Sequence, residues 1–528
     1  MIHINQVGYS PKDPKIAIVA NVSAEKFQVR NENLEVVYEG AVTAPKFDPE
    51  SGDTVAYADF SALKVAGTYE VVAGDAVSPR FGIGEGILKE ASHSVLKMLY
   101  FLRCGTELLE EHAGAYAHKC CHRAPVHVHG NMDKTFEANG GWHDAGDYGK
   151  YPGPGAVAVA HLLLAYQQVP TAFGEKLNIP ESHNPLPDVL NEAKWELDFL
   201  IKCVDLESGG VYHKITSPHF PGMIMPEEDD LPLVASPISA TATAATSAIF
   251  AMGASVFEEF DKEFSEKLKE MAHLTYGWLV ANKEYPGFKN PADISTGEYG
   301  DDNADDERFW AAAQLYQLEQ DPELFKDVAF YFERVRGSKA FELGWRDVAG
   351  FGMLALIFGD ENPLQREAGQ LLEKEAQLLH DRLLGKGYFN SLETYQWGSN
   401  GMVMNHSMLL VLAGMQFENP AWLASAKKMV DYILGANPLG ISYLTGFGSV
   451  QVMNPHHRPS DADGIAVPVP GMIPGGPNAR RQDEPSKEFL SETLPPARAF
   501  IDHWNSYATN EVTIYWNSPA VLPFYFFK

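Results

Sequence analysis

The sequence predicts a small antiparallel β-sandwich followed by a much larger, mainly helical domain. Three observations carry this fold class. Up to about residue 84, apolar and polar side chains alternate in short runs. From about Glu85 the apolar spacing becomes helical. The 528 residues also exceed what one compact core usually holds. The expected division is therefore residues 1–84 and residues 85–528.

The strands come first. KIAIVAN, KFQVRN, LEVVYEG, TVAYADF and TYEVVAG each carry a period of two, and turn-rich pieces such as SPKDPK, DPESGD and KVAGT separate them. This region holds few histidines and no clustered carboxylates beyond turn positions, so it reads as a packing or spacer module. The helices follow. EGILKEASHSVLKMLYFLRCG, LPDVLNEAKWELDFLIKCV, SATATAATSAIFAMGASVFEEF, KEFSEKLKEMAHLTYGWLVAN, DDERFWAAAQLYQLEQ, PLQREAGQLLEKEAQLLHDRLL and GMVMNHSMLLVLAGM all show apolar residues at helical spacing. With weaker segments they amount to on the order of a dozen helices. Long Gly- and Pro-rich loops join them, the kind that carry function in a compact domain. Helices without alternating strands exclude Rossmann and TIM architectures, and no GxGxxG or Walker loop is present.

Acidic residues outnumber basic ones by 70 to 41, a net charge of -29. That field repels polyanions and argues against nucleic acid or an anionic membrane as partner. It admits a neutral or a cationic ligand equally. MIHINQVGYSPKDPK has no basic region followed by an apolar run, and no apolar stretch is expected to approach the length needed to span a bilayer. Cys104, Cys120, Cys121 and Cys203 are too few to staple such a chain, and the adjacent pair is awkward for a disulfide. Reduced thiols and a cytoplasmic location are the expectation, with secretion the alternative if a signal segment has been trimmed away. The sequence is silent on oligomeric state.

GGWHDAGDY places Asp144 and Asp147 three residues apart among glycines, a pattern suited to a loop that turns both carboxylates to one point. The alternative is that one caps a following helix while the other is solvated. A second candidate, Glu511, lies in YATNEVTIYWNSP beside Tyr507, Asn510, Trp516 and Asn517. NPHHRPS holds His456, His457 and Arg458 between prolines. Trp142, Tyr395, Trp397, Trp504 and Trp516 fall in or near these loops, where each can stack on a sugar ring or fill the core. Separated carboxylates with aromatics point to glycoside hydrolysis, in which one group protonates the leaving oxygen and another activates water.

Five motifs, GGWHDAGDYGKY, DERFWAAAQLY, YQWGSNGMVMN, NPHHRPS and YATNEVTIYWNSP, follow one another in an order that resembles glycoside hydrolase family 9, the cellulase family with an (α/α)6 barrel. INQVGYSPKDPKIAIV is similar to the immunoglobulin-like module that precedes the barrel in one branch of it. The resemblance implies Asp147 as the general base, Asp144 as a group holding the attacking water, and Glu511 as the general acid. It implies inversion at the anomeric carbon, with the base and acid roughly 6.5–9.5 Å apart. It also implies a Glu511 kept protonated near neutral pH by partial desolvation. His456 and Arg458 match a sugar-contacting pair, and Tyr507 and Trp397 match positions lining the cleft.

Two metal sites are expected. Cys104, Cys121, His122 and His143 form a Cys2His2 set of the type zinc prefers. Their spacing is not that of a zinc finger, and ordinary buried cysteines are an equal reading of the residues alone. The resemblance implies a structural zinc, with Cys120 outside the set. STGEYGDDNADDE supplies Thr296, Glu298, Asp301 and Asp302, with Asp347 in GWRDVAG as a further candidate. The segment is not an EF-hand, but hard oxygen donors in a loop suit calcium, and the resemblance implies calcium there. The alternative is that Asp305, Asp306 and Glu307 simply begin a helix.

The activity implied is inverting hydrolysis of β-1,4-glucosidic bonds in cellulose-type glucans or cellodextrins, within a cell that imports oligosaccharides. An exo-β-glucosaminidase acting on chitosan oligosaccharides is the nearer rival. A carbohydrate-binding protein without catalysis is the second, and the intact Asp144, Asp147 and Glu511 speak against it.

Overall fold

A computed structural model describes residues 1–337 and 340–528. The chain divides into two compact units, residues 1–98 with 376–528, and residues 99–375.

The first unit contains the β-sandwich. One sheet runs Ile2–His3, Ile16–Ala20, Asp53–Asp59, Lys46–Asp48, and all its pairs are antiparallel. The other runs Gly8–Tyr9, Phe81–Ile83, Gly67–Ala73, Lys26–Asn31, Val36–Ala41, with Ala76–Val77 paired to the third of these. Alternation sends Phe27, Val29, Phe60, Val71 and Phe81 into a common core with Tyr9. All five strand runs seen in the sequence form strands. Gly8 is obligatory, because at its φ of +138° a Cβ would lie 2.3 Å from the Gly82 carbonyl oxygen.

In the same unit, helix Ser399–Gln416 packs between Pro420–Ile433 and Ile514–Phe527. The sandwich is riveted to this region by paired charges. Asn5 Nδ2 donates to Asp431 Oδ1 at 2.8 Å, and Lys427 bridges Asp431 at 2.6 Å and Asp13 at 3.5 Å. Arg498 meets Asp53 at 2.6 Å, and Lys386 meets Glu50 at 2.8 Å. Lys427 is buried, so its charge is tolerated only because both carboxylates answer it.

The second unit is a run of paired helices. Pro152–Gln168, Ala240–Phe257, Asp305–Glu319 and Ala349–Phe358 are buried over most of their length. Asp188–Lys202, Lys262–Ala281 and Pro322–Val335 each bury one face. A helix apolar all round belongs inside, and an amphipathic one belongs outside it. One expectation is corrected here. Ala240–Phe257 is long and apolar enough to cross a membrane by length and composition, but 94% of it is buried inside the protein, as a core helix is. The unit also contains short strands that the sequence did not disclose. Val126–Val128, Asn131–Phe136, Ile215–Thr216 and Val234–Ala235 share a sheet, and Val211–Tyr212 pairs with Ile238–Ser239. Most are two or three residues long, too short to show a period.

Candidate active site

The carboxylate loop is built in residues 102–104 and 141–149. His143 N–H donates to the Leu102 carbonyl at 2.7 Å, and Cys104 N–H donates to the Gly141 carbonyl at 2.8 Å. This short ladder brings Cys104 beside His143. Gly140 and Gly141 sit at φ of +94° and +74°, and a Cβ on Gly141 would lie 2.5 Å from the Phe199 ring. Beyond it, Asp144 N–H donates to the Gly149 carbonyl at 2.9 Å, and Gly149 N–H donates to Asp147 Oδ2 at 3.0 Å. The loop thus closes on itself and presents both aspartates from one turn. Neither caps the next helix, whose N-cap Tyr151 has no side-chain cap.

Asp144 is 1% exposed and Asp147 7%. Burial pushes the Asp144 carboxyl well above the usual carboxylate range, opposed by the Tyr299 hydroxyl and reinforced by Asp147 and Glu196. Tyr299 donates to Asp144 Oδ2 at 2.5 Å. The sequence reading did not single out this tyrosine. It stands at a φ of +44°, unusual for a bulky residue, with its ring edge-on to Tyr151 and Trp345. The preceding carbonyls are gripped by two consecutive side chains. Lys214 Nζ donates to Thr296 O at 3.1 Å and to Gly297 O at 2.8 Å, and His213 Nε2 donates to Glu298 O at 3.0 Å. Burial lowers Lys214 to about 8 against the pull of Asp147 and Glu298, and it lowers His213 to about 3, leaving a neutral ring.

The other expected residues lie in the first unit. Glu511, half-buried, follows the short helix Tyr507–Asn510 and precedes Ile514–Phe527. Its turn is held through the main chain: Gly475 N–H donates to the Glu511 carbonyl and His456 N–H to the Asn510 carbonyl, both at 2.8 Å. His456 therefore lies alongside Glu511 as a bridge partner. Its Nδ1 donates to the Trp504 carbonyl at 2.7 Å. Arg458 opens the helix Arg458–Ala462, which His457 caps by accepting from Ser460 N–H. Trp397 and Tyr507 stand together, ring centroids 5.4 Å apart, and His456 lies 6.3 Å from Tyr507. Of the five aromatics weighed for stacking, Trp397 and Trp504 are exposed, whereas Trp142, Tyr395 and Trp516 are buried and serve packing.

The sulfur and nitrogen donors converge. One ligand atom from each of Cys104, Cys121, His122 and His143 lies within 4.8 Å of the others, and they form the one such group among the described residues. Burial alone would raise the Cys104 thiol. Cys121, Lys150, His143 and His122 overcome it, holding Cys104 well below the usual range. Its thiolate and burial together raise Cys121. A buried thiolate with two imidazoles fits a soft, tetrahedral dication, and Cys120 stays outside.

The calcium expectation fares differently. Thr296 Oγ1 already accepts from Lys214 Nζ at 3.0 Å, so its surroundings repel a cation and it does not fit. Glu298 accepts from Asn290 N–H and Asp302 is exposed beside Lys289. Asp301 instead lines a cavity with Glu307, which the sequence reading had left, with Asp306, to a helix start. Asp305 does serve that start, paired to Arg334, but Asp306 and Glu307 are buried. Burial raises Asp301, Asp306 and Glu307, Asp347 adds to the first two, and Asp301 and Asp306 add to Glu307. Glu307 Oε2 is buried without a hydrogen-bond partner. Asp301 and Glu307 line a cavity of ≈ 20 Å³, room for one water-sized occupant.

Comparison with known proteins now decides the family. The model of glycosyl hydrolase family 9 matches residues 89–524, and that of the cellulase N-terminal ig-like domain matches residues 1–78. The chain belongs to glycoside hydrolase family 9. It is 37% identical to a cellodextrinase of Butyrivibrio fibrisolvens over 98% of both chains. A thermostable endoglucanase from Alicyclobacillus acidocaldarius superposes with a TM-score of 0.94 at 36% identity, covering 100% of this chain and 99% of that one. A Zn-binding triple mutant of a family 9 endoglucanase gives 0.92 at 31% identity, covering 98% and 99%. The family 9 protein is thus a glycoside hydrolase with an (α/α)6 barrel preceded by an immunoglobulin-like β-sandwich. It acts on oligo- or polysaccharide.

Proposed function

We propose that this family 9 hydrolase cleaves β-1,4-glucosidic bonds in cellulose-type glucans or cellodextrins with inversion. Asp147 takes the proton of the attacking water, Asp144 fixes that water, and Glu511 protonates the leaving oxygen. The observation that carries the reading is the Asp144–Asp147 loop: two buried carboxylates from one closed turn, neither spent as a cap, with the Tyr299 hydroxyl fixing the inner one. Trp397 and Tyr507 offer aromatic surface to sugar rings, and His456 and Arg458 offer hydrogen-bond donors. Names of relatives, a cellodextrinase and an endoglucanase, support the glucan class.

Zinc held by Cys104, Cys121, His122 and His143 would have no open coordination position, so it supplies cross-linking rather than chemistry. The crowded Asp301, Asp306, Glu307 and Asp347 suit a hard cation such as calcium better than the set read from sequence. One panel tests the activity: reducing-sugar release from carboxymethylcellulose, cellotetraose and chitosan oligomers, with the first-formed anomer followed by NMR. Release from the glucans with an α-anomer product is expected. A β-anomer, or release from chitosan oligomers alone, would overturn the reading.

A further inference from the structure

We propose that Asp229 is an outer-sphere carboxylate of the metal site, so that residues 217–233 belong to it although they supply no direct ligand. The inference rests on the zinc reading above.

Asp229 Oδ2 lies 3.2 Å from His122 Nε2, and both side chains are buried, at 3% and 2% exposed. The other oxygen, Oδ1, accepts from Leu231 N–H at 3.2 Å, which fixes the carboxylate plane. His122 Nε2 therefore carries its proton towards Asp229. The opposite nitrogen, Nδ1, is buried, and His122 interacts with Cys104 in the group of converging donors. A carboxylate on one imidazole nitrogen selects the tautomer whose other nitrogen holds a lone pair for the metal, and raises its basicity. His122 stands at a φ of +48°, a costly backbone for a non-glycine residue, which a ligand position would explain.

The same segment is tied in a second place. Tyr148, next to Asp147, donates its hydroxyl to the Ile224 carbonyl at 2.5 Å, while its ring lies 5.3 Å from His122 and 4.9 Å from His143. Residues 217–233 thus reach the histidines once through Asp229 and once through Tyr148.

A plain buried ion pair would predict something else. Removing it would destabilise the metal-free and the metal-loaded protein alike and leave the affinity of the folded protein for metal unchanged. Zinc affinity of the intact protein, measured by competition with a chromophoric chelator, separates the two. Asp229→Ala should weaken zinc about 10–100-fold. Asp229→Asn, which keeps an acceptor without the charge, should weaken it less and serves if the alanine variant does not fold. Asp230→Ala, an exposed neighbour, should bind like wild type. Wild-type affinity in both Asp229 variants would overturn the inference alone. Folded wild type that binds no zinc would overturn the zinc reading and this inference with it. Hydrogen exchange of residues 222–231 should slow on zinc addition in wild type and not in Asp229→Ala; equal slowing in both would also overturn it.

Discussion

The loop proposed to carry the base and the turn proposed to carry the acid are held in different ways. The Asp144–Asp147 loop is surrounded by buried polar side chains: Glu196 on Trp142 N–H, Lys150 on the Ala138 and Gly140 carbonyls, Tyr299 on Asp144, and the sulfur–nitrogen cluster behind it. The Glu511 turn is fixed largely by main-chain bonds to residues 456 and 475, with exposed aromatics nearby. The contrast suits the two roles. A base should hold water at a fixed point, and the proposed one has the Gly149 N–H on Asp147 and the Tyr299 hydroxyl on Asp144. An acid gives and regains a proton, and the proposed one, Glu511, sits half-buried on a turn fixed through the main chain.

The strongest way to break this comparison is to remove each carboxyl in turn. Asp147→Asn and Glu511→Gln should each lower kcat by about 10²–10⁴-fold while the melting transition stays in place. Activity near wild type in either would remove that residue from the chemistry. Next comes a stability test of the buried charge. Burial pushes Glu196 up to about 8 from 4.5. Between those values the unfolded chain sheds a proton that the folded chain keeps. Stability therefore falls as pH rises, by up to about 1.4 kcal/mol per pH unit, and the full contribution is present only below 4.5. Denaturant melts from pH 5 to 8 should show that slope in wild type and a flatter one in Glu196→Gln.

Two smaller effects sharpen the contrast. Tyr299→Phe removes only the hydroxyl on Asp144 and should cost roughly tenfold in kcat, with KM little changed. Trp397→Ala should do the reverse, raising KM by roughly fivefold through lost stacking worth about 1 kcal/mol, with a smaller change in kcat. Steady-state kinetics on cellotetraose distinguishes them. A Tyr299→Phe effect confined to KM would show that the hydroxyl binds sugar rather than sets Asp144.

Much of this was legible before any coordinates. The amphipathic helices and the five alternating strands announce themselves by period, and the ordered motifs point to the family. The candidate metal sites show where legibility ends. Cys104, Cys121, His122 and His143 were found because thiol and imidazole have few rival uses inside a protein. Thr296 was misjudged because a threonine hydroxyl serves Lys214 as readily as a cation, and nothing local reveals a lysine 82 residues away. Asp306 and Glu307 were left as a helix start because the first turn of a helix favours acids anyway. Tyr299 carried no signal at all: its importance lies in a strained backbone and a partner 155 residues earlier.

The rivets between Asn5, Asp13, Glu50 and Asp53 and their partners at 386, 427, 431 and 498 also set a timetable. A ribosome emits the sandwich roughly 300–400 residues before its docking partners exist, about 15–80 s earlier at 5–20 residues per second. Through that interval Asp13, Glu50 and Asp53 lack these cationic partners, which arrive only with residues 386–498.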